Sequence, residues 1–168
     1  MRTQHFLILA AALSLPLIFT ACTDESDPKE GGYEAMQNGD HATAASAFKA
    51  ALEGTDASAP DYTELRLARC EALAFVNGDE SEAEFKSLCE EQSELDSKQY
   101  ALIGRSLLEA EATANAARVV DMGLTAHPDD AKLTALMDKV MVAAAEAADG
   151  EDSDAMDALK GMGYLGGD

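Results

Sequence analysis

Cys70 and Cys89 are the two side chains of this 168-residue chain whose spacing suits covalent chemistry. They flank Gly78-Asp79 at nearly equal distance, so antiparallel helices folded at that point would bring the sulfurs face to face. A disulfide there would add about 3 kcal/mol by the chain-entropy relation; two buried thiols are the other reading. The spacing is not C-x-x-C, which argues against a redox-active pair. His5, His41 and His127 stand singly, and solitary turn histidines make no metal site. Asp149, Glu151, Asp152, Asp154 and Asp157 cluster, but without the alternating order, glycine and distant Glu of a calcium loop. No G-x-x-x-x-G-K-[ST], G-x-S-x-G or H-E-x-x-H occurs. No acidic pair is embedded in an apolar run as a raised-pKa acid would be. These residues describe a chain that is not an enzyme and holds no cofactor or metal.

Composition narrows the partners. Twelve basic and 32 acidic residues leave a net charge of -20, which repels nucleic-acid phosphates and anionic headgroups. No nucleic-acid partner is expected. The acidic surface serves solubility or steers a basic partner. Apolar residues make up 47%, enough for a core, but aromatics are only 5% and Trp is absent. Such a core must come from closely spaced helices, and the Ala-rich, glycine-punctuated body predicts an all-α fold.

The elements follow from the spacing. Over Ser97 to Pro128, Tyr100, Ile103, Gly104 and Leu107 share one helical face; Ala116, Val120, Gly123 and Leu124 share another. Gly104, Ala116 and Gly123 mark where the two helices must approach closely. Tyr33 to Leu52 repeats the second pattern as Ala44, Phe48, Ala51 and Leu52, after the turn Asn38-Gly39-Asp40 and a short helix starting near Gly32. Gly54 to Ala59 is an extended linker, and Pro60 suits the first turn of the next helix. Leu65 to Val76 is apolar on most sides, which predicts a central, buried helix. Asn77-Gly78-Asp79 closes it, an echo of Asn38-Gly39-Asp40 39 residues on. Aligning those turns puts Ala83 at the small position of the following helix, whose own stripe is Phe85, Leu88, Cys89 and Gln92. A slip of about one residue follows from that mismatch. Asp129 or Asp130 caps a last long helix, to about Ala148, with Leu133, Leu136, Met137, Val140 and Ala144 on one face. After an acidic turn, Ser153 caps a short helix ending at Gly161, and Tyr164 and Leu165 fold back beside the capping helix.

These hairpins resemble the tetratricopeptide repeat (TPR), a helix pair of ~34 residues that stacks into a solenoid. The resemblance implies a short all-α, TPR-like solenoid of about three hairpins over residues 33–149, closed by a C-terminal capping helix. It also implies that the first helix of each hairpin lines a concave groove for a partner segment. Carried over, it nominates Tyr33, Met36 and Gln37, then Ala72, Phe75 and Val76, then Arg105, Leu108 and Glu109. Arg105, a cation on an acidic surface, suits a partner carboxylate.

The N-terminus reads as an address. A start carrying Arg2, an apolar run from Phe6 to Phe19 and small residues after it describe a signal peptide over residues 1–21. The run is too short for a spanning helix. Phe19-Thr20-Ala21-Cys22 resembles a bacterial lipobox, with Phe where an aliphatic residue is usual; ordinary cleavage near Ala21 is the other reading. The resemblance implies a lipidated Cys22 and, with Thr23 after it, an exported protein anchored to a bacterial membrane, the outer membrane favoured. Several alkyl chains, at ~0.8 kcal/mol per buried methylene, make such an anchor effectively permanent. Residues 22–32, acidic with Pro28 and a glycine pair, read as a disordered tether reaching ~30 Å. Residues 150–168 form an acidic turn, a short helix and a Gly-Tyr-Leu-Gly-Gly tail similar to that of many bacterial sulfatases, although the sulfatase nucleophile motif is absent. The whole describes a scaffold for other envelope proteins. An accessory subunit positioning an envelope enzyme, for example a sulfatase, is the alternative; a small hydrolase is a third reading.

Overall fold

A computed structural model describes residues 27–92, 95–147 and 153–165. The signal peptide, Cys22 and residues 23–26 of the tether lie outside the described residues, as do most of the acidic turn and the last three residues of the tail. The described elements are α-helices, with no strand among them: α1 Pro28–Gln37, α2 His41–Glu53, α3 Tyr62–Ala74, α4 Gly78–Glu91, α5 Ser97–Glu109, α6 Thr113–Ala126, α7 Ala131–Ala147 and α8 Ser153–Gly161. The fold is all-α. Among the described residues no helix is long and apolar enough to cross a membrane.

Short acceptors start α1, α2, α4, α5 and α7. Asp40 Oδ1 accepts from Thr43 N at 3.1 Å, and Asp96 with Gln99 forms a reciprocal capping box. Of the two candidates for α7, Asp130 is the cap, its Oδ1 accepting from Lys132 N and Leu133 N at 2.8 and 3.0 Å. The turn before α2 uses Gly39 at φ 73°, where a side chain would be strained.

Sequential helices pack antiparallel, α1 on α2, α3 on α4, α5 on α6, with α2 also on α3 and α6 on α7. Helices α3, α5 and α7 lie side by side in one layer; α6 contacts α4 and α8 in the other. The small residues sit at the closest approaches. A Cβ on Gly104 would lie 2.6 Å from Val120 Cγ2, and one on Gly123 2.8 Å from Tyr100 Cβ. Two buried clusters result. Eight residues around Phe48 join α1 and α2 to one face of α3, and twenty residues join its other face to α4 through α8. Eight of the thirteen α3 residues are buried, the central position that its apolar pattern predicts.

Three boundaries differ from the sequence expectation. Residues 28–32 are not tether but the start of α1: Asp27 Oδ1 accepts from Lys29 N at 3.0 Å and Pro28 occupies the first turn. Gly32 faces the ring of Phe48, where a Cβ would come within 2.6 Å, so the helix must reach back that far to cover the cluster. Pro60 lies in the turn before α3, whose first residue is Tyr62. The third difference is the middle hairpin. Helix α3 ends at Ala74 and the turn is Phe75-Val76-Asn77. Asn77 therefore caps the start of α4, accepting from Glu80 N at 3.3 Å, whereas Asn38 ends α1. The two Asn-Gly-Asp triplets do different work. The small position facing α3 is Ser81, fully buried, and not Ala83, which is exposed. The slip is two residues.

Candidate functional site

The nominated groove residues divide into two groups. Tyr33 is committed to the fold: its ring meets Phe48 edge-on at 5.0 Å and its hydroxyl donates to Glu64 Oε1 at 2.7 Å. Burial and that carboxylate push the Tyr33 pKa upward. Met36 packs half-buried on the Phe48 cluster, and Gln37 is exposed at the end of α1. Ala72 is fully buried in the same cluster, which removes it from a groove surface.

The second group converges. Phe75 is 38% exposed and stacks on His41 with ring centroids 4.2 Å apart at 14°. Val76 beside it is 51% exposed, a large apolar side chain held in solvent by the turn. On α5, Leu108 packs half-buried on the larger cluster while Arg105 and Glu109 are exposed. Glu71 of α3 links these parts. Its half-buried carboxyl has a raised pKa because burial disfavours the anion; Arg105 and His41 oppose that shift and Glu109 adds to it. One patch therefore combines an aromatic, an aliphatic and a half-buried acid with Arg105 and Glu109, at the ends of α3 and α5.

Sequence reasoning missed His41 and Glu71. A lone histidine after a turn carries no sign that an aromatic from the next hairpin will lie on it. His41 Nδ1 is enclosed and has no hydrogen-bond partner among the described residues. His127 is not a solvated turn residue either: its Nε2 lies 2.9 Å from Leu95 O and its ring edge-on to Tyr100.

Of the two readings of the cysteine pair, the geometry matches the one with separate thiols. Cys70 and Cys89 are both free thiols. The hairpin folds about Phe75-Val76, so Cys70 lies opposite Ser81, whose Oγ donates to Cys70 O at 2.7 Å. Cys89 lies eight residues beyond Ser81, about two turns farther along α4. Burial pushes the Cys70 thiol up to about 12 and also raises Cys89, so neither is poised as a nucleophile.

On the opposite side of α3, Arg66 pairs with Glu84 at 3.3 Å and with Glu91 at 3.1 Å. Arg69 pairs with Glu84 and, at 3.4 Å, with Glu80. These charges compensate one another and clamp α3 to α4. Among the described residues, no three His, Cys, Asp or Glu side chains converge as metal ligands, and no hydroxyl or thiol is hydrogen-bonded to an imidazole. No known family model, curated protein or solved structure matches the chain.

Tail residues Tyr164 and Leu165 pack half-buried against the larger cluster, and the Tyr164 hydroxyl donates to Asp121 Oδ1 of α6 at 3.0 Å. Fully buried Ala155 and Leu159 seat α8, which packs more on α6 than on α7.

Proposed function

We propose that this chain is a TPR-like scaffold of a bacterial cell envelope, anchored through lipidated Cys22, that holds a segment of another envelope protein on the face formed by α3, α5 and α7. The observation that carries this reading is the exposed pair Phe75 and Val76 in the turn after α3, linked through His41 and Glu71 to Arg105 and Glu109 of the neighbouring α5. An aromatic and an aliphatic side chain next to an unburied cation suit a polypeptide carrying both apolar and acidic groups. Hairpins of similar length with small residues at their crossings support the solenoid.

Val76→Asp with Arg105→Gln should weaken crosslinking to the partner in membranes while leaving the helical circular dichroism unchanged. Undiminished crosslinking refutes the groove. Cys22→Ala should release the chain from membranes without detergent; a variant that stays bound refutes the anchor.

A further inference from the structure

A groove of ≈310 Å³ between α5 and α7 is lined by Ala101, Arg105, Lys132, Ala135, Leu136 and Lys139. Three cations and no carboxylate line this groove in a chain of net charge -20. Lys29, Arg66, Arg69 and Arg118 are each ion-paired, but among the described residues none of the three groove cations lies within ion-pair distance of an acid. The nearest acids are otherwise placed. Glu71 interacts with Arg105 from the α3 side, and the Asp130 carboxylate is taken up by the first turn of α7 and by Ser97 Oγ at 2.6 Å. The cations thus line an aliphatic floor of Ala101, Ala135 and Leu136, with no carboxylate in the groove itself.

The spacing selects the ligand. Lys132 and Lys139 are seven residues apart on one face of α7, about 10 Å along its axis. In a peptide in the extended polyproline II conformation, with three residues per turn, carboxylates at positions i and i+3 share one face about 9 Å apart. We propose that this groove takes an extended acidic segment of the partner, with two carboxylates three residues apart on Lys132 and Lys139. A small aliphatic side chain lies on the floor, and Arg105 takes a further carboxylate or a backbone carbonyl. The assignment rests on the scaffold reading above and adds the capping helix to its surface. A free segment can enter where an anionic bilayer would meet the repulsion of the whole acidic chain.

The test is fluorescence anisotropy of a labelled Gly-Glu-Leu-Ala-Glu-Gly peptide with the full chain in detergent. The peptide should bind, more weakly as salt shortens the Debye length. Lys132→Gln with Lys139→Gln should weaken it about tenfold, the effect of losing two exposed charge pairs. Ala135→Trp, which fills the floor and leaves the charges in place, should also weaken it. Failure of the acidic peptide to bind, equal binding of the version with Gln for Glu, or indifference to the lysine variant overturns the proposal. Lysine-dependent sedimentation of Cys22→Ala chain with phosphatidylglycerol vesicles, without peptide binding, also overturns it. A photocrosslinking residue at 76 and another at 135 separate the two readings in membranes. A polypeptide adduct at 76 alone removes this groove and leaves the scaffold, whereas none at either position removes both.

Discussion

The two ends of the molecule use the same contacts on different scales. Phe48, fully buried, receives Tyr33 edge-on at 5.0 Å; Phe85, equally buried, receives Tyr100 edge-on at 5.3 Å. Gly32 lets Phe48 approach as Gly104 lets Val120 approach. Yet Phe48 belongs to a cluster of eight buried residues, five of them Ala, and Phe85 to one of twenty with contributions from α3 to α8. The N-terminal hairpin is thus held on the rest through one face of α3. Local sequence pattern sets how two helices cross; the number of helices behind them sets how much stability that crossing receives.

The largest way to break this comparison is to empty the larger cluster. Phe85→Ala should cost about 3–5 kcal/mol and lower the whole denaturation transition. Phe48→Ala removes a similar volume, but hydrogen exchange should show α1 and α2 losing protection while α5 to α7 keep theirs. Equal loss of protection everywhere would mean that the two clusters act as one. Gly104→Val should cost about 1–3 kcal/mol through overpacking against Val120. Gly31→Ala, with nothing within 4 Å of the new Cβ, should stabilise instead, by up to about 1 kcal/mol. Denaturant midpoints decide both.

A finer contrast lies in the turns. Gly39 and Glu111 occupy equivalent places, since Gly39 N donates to Met36 O and Glu111 N to Leu108 O, each at 3.1 Å. Both are left-handed, at φ 73° and 62°, but only one is glycine. Glu111→Gly should therefore stabilise by about 1 kcal/mol, read from the melting temperature. The smallest effect is electrostatic. Glu71 has a carboxyl pKa raised by burial, so its contribution favours the fold below the ordinary carboxylate range and is lost as pH rises through the raised value. Glu71→Gln should be more stable than the parent at pH 7 and indistinguishable below about pH 4, the ordinary range for Glu. A constant difference across that range would show that the group is not strained by burial.

The helical class, the hairpins around Phe48 and Val120, and the buried face of α7 were legible because small and large residues recur at helical spacing in single segments. The middle hairpin was not, because Asn77-Gly78-Asp79 copies the letters of Asn38-Gly39-Asp40 at a different place in the hairpin. That two-residue offset moved Phe75 and Val76 from a helix into a turn and separated Cys70 from Cys89. Within the candidate site, Arg105 stood out as a cation on an acidic chain. His41, Glu71, Lys132 and Lys139 did not, since each is ordinary in its own segment.

Periodicity and composition by themselves determined that this chain is a set of Ala-rich helices meeting through small residues, because those properties depend on neighbours within a few positions. The start of α1, the register of α3 on α4 and the placing of three cations around one groove were decided by the tertiary structure alone. They depend on which surfaces are left to cover once distant helices have packed, and a linear spacing carries no record of that.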